Sequence, residues 1–174
     1  MQSSVFAQKT NPADAGDPVF TSAFYAPYEH AARSAMAMVC SARAQLGEAD
    51  GVRAVTYRLK TPASIRGKLQ KRGLPQTEAS AATLHDIAGL RAVLADEGQV
   101  YRFARILLAS PMAELLQARD YIASPKSSGY RSLHLILHMP GGERISRVPV
   151  EIQLRTAPMD LWAQLEHDAC YKPM

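Results

Sequence analysis

Near the C-terminal end of the chain, Glu151, Gln153 and Arg155 alternate with Val148, Val150, Ile152 and Leu154. A period of two marks a strand, with one apolar face and one face carrying an acid, an amide and a guanidinium. An unpaired charge is costly to bury, so the polar face must meet water, a ligand or matching side chains. A solvated antiparallel face explains this pattern as well as a phosphate-and-metal site does. Just upstream, Leu133, Leu135, Leu137 and Met139 alternate with Ser132, His134, Ile136 and His138. Pro140-Gly141-Gly142-Glu143 between the runs reads as a hairpin turn, and that pairing puts His134 and Ser132 on the face of Glu151.

A second group is basic. Between Gly51 and Thr77 there is no acidic residue, while Arg53, Arg58, Lys60, Arg66, Lys68, Lys71 and Arg72 fall within the stretch. Thr61 and Pro62 are a helix cap and first-turn residue, and Gly73 is a terminator. Ser64, Lys68 and Lys71 then share one helical face. Hydroxyls, ammonium groups and the N–H groups of a helix start hold triphosphate chains in this way. A solvated basic face, or a nonspecific nucleic-acid patch, has the same composition.

Asp86 stands at the start of an apolar run, Ile87 to Ala95, that reads as an interior strand with Gly89 inside it. On its own it is as well suited to capping a turn as to chemistry. His85-Asp86 and His167-Asp168 lack the further spaced histidines and aspartates of a helical metal phosphohydrolase, and His30 and His138 receive no role. Walker A, dinucleotide Gly-rich, Gly-x-Ser-x-Gly and zinc-spacing motifs are all absent.

These candidates need a scaffold. At 174 residues, with 47% hydrophobic and 21% charged residues, the chain suits one globular domain. Residues 1–21 carry Asn-Pro and Asp-Pro without periodicity and read as a flexible lead-in. Over 22–174 the expected order is a long Ala-rich helix from Phe24 to Leu46, a strand from Val52, the basic helix, and a polar loop. The strand from Ile87 follows, then a helix capped by Asp96 and ended by Pro111. Two strands flank the loop at 125–129, and a strand pair leads to a last helix from Pro158 to Tyr171. This order fits an α+β (α/β mixed) fold, a mixed β-sheet flanked by helices. In the last helix Asp160, Gln164, His167 and Tyr171 form a polar stripe, read as a solvent face opposite Trp162, Leu165 and Ala169.

Cys40 and Cys170 lack paired spacing and are read as buried or inert thiols. No signal-peptide pattern or run of about 18 apolar residues occurs, which points to a cytoplasmic location without a membrane. A net charge of +4 is compatible with nucleotide or nucleic-acid partners.

Taken together, several blocks resemble the synthetase domain of the RelA/SpoT family, in particular the small alarmone synthetases. They are Tyr57-Arg-Leu-Lys60 with Ser64 and Lys68, Asp86-Ile-Ala-Gly-Leu-Arg91, Arg119-Asp-Tyr-Ile122, Pro125-Lys126 and Gly129-Tyr-Arg-Ser-Leu-His134. Val150-Glu-Ile-Gln-Leu-Arg-Thr156, Met159-Asp-Leu-Trp-Ala163, Leu165-Glu-His167 and Tyr171-Lys172 continue the match in order.

The resemblance implies a nucleotidyltransferase-like fold and transfer of pyrophosphate from ATP to the 3′-hydroxyl of GTP or GDP, with Mg²⁺. It implies that Arg58 and Arg91 sandwich adenine, and that Lys60, Ser64 and Lys68 hold the ATP phosphates. Asp86 and Glu151 are the implied metal-binding and catalytic acids, with Glu151 as general base. Tyr130 is implied to stack on guanine, with Arg119, Lys126 and His134 near the acceptor phosphates and Gln153 and Asp160 completing the pocket. Ser128 departs from the Asn the family often carries. The chain stops soon after Lys172, where small synthetases continue into contact helices, so a monomer or weak homo-oligomer is expected. Synthesis without hydrolysis is also expected. The alternatives are a toxic-type relative that modifies the tRNA 3′ end or an adenine nucleotide, and a noncatalytic nucleotide- or RNA-binding module. Paired acids beside phosphates speak against the last, because they repel the ligand unless a metal intervenes.

Overall fold

The apolar alternations of the sequence assemble into one mixed sheet whose two faces differ in chemistry. A computed structural model describes residues 6–9, 17–47, 51–143 and 145–171, with side chains from 17 to 166 within those ranges. The strands are β1 (Phe6–Lys9), β2 (Val52–Leu59), β3 (Ala88–Leu94), β4 (Glu114–Asp120), β5 (Leu133–Pro140) and β6 (Arg147–Thr156). They lie in the order β1-β2-β3-β6-β5-β4. β1 is parallel to β2 and β3 to β6, and the other neighbours are antiparallel.

Helices α1 (Ser22–Leu46) and α4 (Glu97–Leu108) cover one face. Val100, Phe103, Ala104 and Leu107 of α4 recur at helical spacing and are buried. They join Leu90, Ala92 and Leu94 of β3, Leu135 and Leu137 of β5, and Val150, Ile152 and Leu154 of β6 in the core. The expected caps are in place, with Thr61 accepting from the N–H of Ser64 and Asp96 from that of Gln99, and Thr21 caps α1 by accepting from Phe24. Short helices α2 (Pro62–Lys71) and α3 (Glu78–Ala81) fill the connection from β2 to β3, and α5 (Ala157–Tyr171) follows β6 directly. The fold is α+β, as the order of elements predicts.

Several local expectations change. The lead-in over 1–21 is not wholly flexible, because Phe6–Lys9 pairs with β2, and Phe20 is buried beside an Asp17–Arg66 ion pair. The polar loop after Gly73 contains α3. Within the polar stripe of α5, Gln164 is exposed as expected, but Asp160 turns inward to two arginines, while Trp162 and Leu165 on the side expected to be buried are exposed. The side chains of His167, Asp168, Ala169, Cys170 and Tyr171, with Lys172 and residues 1–5 and 10–16, lie outside those described. Cys40 is exposed rather than buried, because it falls on the outer side of α1 next to the inward Met38 and Val39. Among the described residues no helix is long and apolar enough to cross a membrane.

Candidate active site

The sheet face opposite α1 collects nearly all the predicted side chains. Directly opposed residues share a face, and the register runs Thr56, Arg91, Gln153, His134, Arg119 across five strands. One step along, Arg58, Gly89 and Glu151 form the next row. Gly89 sits between an arginine and an acid, so the floor there is bare backbone. A Cβ added to it meets only the Glu151 carbonyl at 3.7 Å, an ordinary contact.

At the end of the sheet near α2, Asp86 receives both lysines on one oxygen. Lys60 Nζ lies 3.1 Å and Lys68 Nζ 2.8 Å from Oδ2. Burial opposes charge on this carboxyl, but the two ammonium groups outweigh it and hold the acid below its ordinary range. Oδ1 is buried with no hydrogen-bond partner, which in a low-dielectric site calls for a cation or a donor. Glu151 is close enough for its ionisation to be opposed by Asp86. Two carboxylates, one with a free oxygen, are a donor set for a hard divalent cation that takes its remaining ligands from phosphates and water. Among the described residues no group of three or more His, Cys, Asp or Glu offers an all-protein cage.

Glu151 belongs to a closed ring of five side chains. Gln153 Nε2 donates to Glu151 Oε2 (2.8 Å), and Arg155 Nη2 donates to Gln153 Oε1 (2.7 Å). Arg155 Nη2 also donates to the Tyr130 hydroxyl (2.7 Å), which lies 2.7 Å from His134 Nε2. His134 Nδ1 completes the ring 3.0 Å from Glu151 Oε1. Every donor is matched if His134 is neutral with its proton on Nδ1, so Tyr130 O–H donates to Nε2 and Nδ1–H donates to Glu151. Burial raises the Glu151 pKa, but the bonds from His134 and Gln153 more than offset it and keep the group below its ordinary value. The acid is therefore an oriented anion. Both His134 nitrogens are engaged within the ring, one with Tyr130 and one with Glu151.

Arg155 is the hub, 4% exposed, and its Nη1 reaches Asp160 Oδ1 at 3.1 Å. Arg91 Nη1 meets the same oxygen at 3.1 Å. Burial lowers the Arg91 pKa, and the charges of Arg155 and Arg58 lower it further. Its Nε is buried without a partner. Two guanidinium groups share one carboxylate, with the charge of Arg58 felt at Arg91, so positive potential is in excess, and a pocket of about 160 Å³ opens here beside Thr56, Arg91, Asp160 and Gln164.

The loop after β4 is tied down locally. Asp120 accepts from the N–H groups of Ile122 and Ala123 and from the Tyr101 hydroxyl of α4. Gly129, at φ 82°, then turns the chain into Tyr130, and its N–H bonds the Lys126 carbonyl at 2.9 Å. Lys126 Nζ lies over the Tyr130 ring at 4.5 Å and over Tyr121 at 4.8 Å, while the Arg155 guanidinium lies 5.2 Å from the Tyr130 centroid. Tyr130 is only 7% exposed. A base that stacks on it must displace the Lys126 ammonium group.

Direct contacts thus form two groups, Asp86 with Lys60 and Lys68, and Glu151 with Gln153, His134, Tyr130, Arg155, Asp160 and Arg91; charge links Asp86 to Glu151 and Arg58 to Arg91. Ser64 is exposed at the start of α2, bonded to Thr61. Arg119 is exposed at the β4 edge and bonded to Gln117. Arg155 and Ser132 fall on the polar face of the sequence pattern without a place in the expected site, yet Arg155 bonds to Tyr130, Gln153 and Asp160 and to the Ser132 hydroxyl. The run of three alternating polar residues was the available signal, since a buried guanidinium at its end demands partners.

The family description "Region found in RelA / SpoT proteins" matches residues 57–174. The GTP pyrophosphokinase YwaC of Bacillus subtilis (strain 168) is 40% identical over 118 residues, covering 66% of this chain and 56% of that protein. The chain therefore spans little more than half the length of this relative. A crystal structure of small alarmone synthetase 1 from Bacillus subtilis superposes with a TM-score of 0.78 at 33% identity, over 86% of this chain and 78% of that one. The structure of that synthetase bound to its product pppGpp gives a TM-score of 0.77 at 33% identity, with the same coverage.

Proposed function

This chain belongs to the RelA/SpoT family, and from that premise we propose that it is a GTP/GDP pyrophosphokinase that uses ATP and makes (p)ppGpp. The observation that carries this reading is the placement of Asp86 and Glu151 together between a lysine pair and a guanidinium cluster. Carboxylates beside an anion-binding surface suit phosphoryl chemistry, in which the protein mainly positions reactants and offsets charge on oxygens. The relatives' names, GTP pyrophosphokinase and small alarmone synthetase, point the same way.

In the proposed reaction the acceptor 3′-oxygen bonds to the β-phosphorus of ATP, the bond from that phosphorus to the α-β bridging oxygen breaks, and AMP leaves. Glu151, held as an anion by His134 and Gln153, accepts the hydroxyl proton. Lys60 and Lys68, already drawn to Asp86, face the ATP phosphates, with Ser64 at the start of α2. Arg58 and Arg91 flank the bare Gly89 floor and clasp the adenine, as planar guanidinium groups can. Tyr130 receives the guanine once Lys126 moves from its ring to the acceptor phosphates, where Arg119 also reaches. Asp86 and Glu151 hold Mg²⁺, which when bound neutralises phosphate charge.

The deciding experiment incubates the purified chain with γ-labelled ATP, Mg²⁺ and GTP, GDP or tRNA in separate arms. Label in a guanosine tetra- or pentaphosphate is the expected result. Label in the tRNA arm alone shifts the acceptor class, and label transferred in no arm overturns the enzyme reading.

A further inference from the structure

The part of the chain ahead of the family match, which begins at residue 57, touches the basic segment at two points, one just before α2 and one on it. Tyr25, fully buried in the first turns of α1, donates its hydroxyl to the Lys60 carbonyl at 2.7 Å. The Lys60 N–H in turn donates to the Ile87 carbonyl at 2.8 Å. The peptide of Lys60 is therefore fixed on both sides, between α1 and the residue after Asp86. Its ammonium group is left to reach Asp86.

The second point is Arg66, on α2 two residues from Ser64 and two from Lys68. It makes a bidentate pair with Asp17, with Nη2 2.9 Å from Oδ1 and Nε 3.3 Å from Oδ2, and lies 5.1 Å from the centroid of Phe20. Asp17 is itself held, because its Oδ1 accepts from the N–H groups of Val19 and Phe20 at 2.9 Å each. A planar fork against a preset carboxylate fixes direction as well as distance. Arg66 thus adds a directional tie to the packing of Ile65 and Leu69 that holds α2, the helix that carries Lys68.

We infer that Asp17 and Tyr25 are positioning residues for the ATP phosphates, acting through Arg66 and Lys60, so that the working site begins about forty residues before the family region. This rests on the pyrophosphokinase reading for the identity of the ligand. The clamp itself rests on geometry alone.

Three variants test it: Tyr25→Phe, which removes one hydroxyl from a retained ring, Asp17→Asn, and Asp17→Asn with Arg66→Gln. Each is assayed for pyrophosphate transfer, for binding of α,β-methylene ATP by calorimetry, and for amide hydrogen exchange. Losing one such bond corresponds to about 2- to 10-fold. ATP KM and the analogue Kd are expected to rise by that factor in each single variant, with acceptor KM unchanged. The double variant is expected to be no worse than Asp17→Asn alone. Exchange over residues 60–71 is expected to accelerate while β5 and β6 stay protected. The inference is overturned if the wild type transfers pyrophosphate and the variants lose only melting temperature, or lose both substrates equally, or keep wild-type exchange over 60–71. If the wild type transfers nothing, the functional reading fails and the exchange data alone decide the clamp.

Discussion

Glu151 and His134 are joined by a 3.0 Å bond from Nδ1 to Oε1, and that bond fixes the direction of every other proton in the ring. Glu151→Gln keeps the size of the side chain but introduces an amide with one acceptor and one donor. With the Nδ1 proton kept, either His134 or Gln153 then faces a donor with its own; a flip of Gln153 moves the conflict to Arg155, and a change of His134 tautomer moves it to the Tyr130 hydroxyl. Turnover is expected to fall at least about 100-fold, the scale of a positioned acid–base group. Acceptor KM is expected to change little. Steady-state kinetics with each substrate varied checks this, and near-normal turnover rules out Glu151 as the base.

Tyr130 has two separable parts. Its hydroxyl bridges Arg155 and His134, and its ring lies under Lys126. Tyr130→Phe keeps the ring, so turnover is expected to drop while acceptor KM stays within about threefold. Tyr130→Ala removes the stacking surface, worth about 1–3 kcal/mol per base, and acceptor KM is expected to rise roughly 5- to 100-fold. Equal weakening of ATP by the Ala variant contradicts guanine recognition at this ring.

How much of this was written in the sequence depends on the range of each interaction. The alternation at 148–155 is local, so strand, hairpin and the shared face of Glu151 and His134 were all legible. The cover on Tyr130 was not, because it depends on how the Lys126 loop folds back beside Tyr121. Nor was the clamp legible, since Tyr25 to Lys60 and Asp17 to Arg66 span 35 and 49 residues. The inward turn of Asp160 was not legible for a related reason: it is drawn in by Arg91 and Arg155, and a helical wheel does not contain them.

The Asp17 clamp carries a pH signature of known sign. The Phe20 N–H, then Val19 and Arg66, favour the anion more than burial opposes it, so the folded carboxyl lies below its ordinary value of 3.8. A depressed acid stabilises the fold fully above its unfolded value, and that contribution is lost as pH falls through the folded one. The stability gap between wild type and Asp17→Asn is expected to be constant from neutral pH to about pH 5, and to close as pH falls below 3.8. Urea denaturation across that range measures it. A gap that instead opens on acidification reverses the assignment.

Trp162 is the single tryptophan of the chain, half exposed, against Gly129 at the base of the acceptor loop. A Cβ at Gly129 approaches the indole Cζ2 at 3.4 Å, so a small loop movement changes the surroundings of the ring. Displacement of Lys126 from Tyr130 by guanine is expected to shift Trp162 emission on adding GTP or GDP, and not on adding ATP alone. An identical response to both nucleotides, or to neither, removes the loop movement from the proposed binding sequence.

Gly89 gives the cleanest separation of fold from function. Its neighbours Ala88 and Leu90 point into the core, so a side chain at 89 points onto the polar face, between Arg58 and Glu151. The backbone there needs no positive φ, and an added Cβ touches only the Glu151 carbonyl at 3.7 Å. Glycine inside a strand costs about 0.5–1 kcal/mol relative to alanine. Stability alone therefore favours Gly89→Ala, and that variant is expected to melt at or above the wild-type temperature. If the bare floor exists to seat the ATP base between Arg58 and Arg91, the same methyl occupies ligand space. The variant is then expected to lose ATP affinity by roughly tenfold or more, about the 1–3 kcal/mol scale of a mismatched methyl in a tight pocket. Thermal melting and α,β-methylene ATP calorimetry on the same preparation test both halves. A variant that melts normally and binds ATP normally means that the ligand lies elsewhere on the sheet.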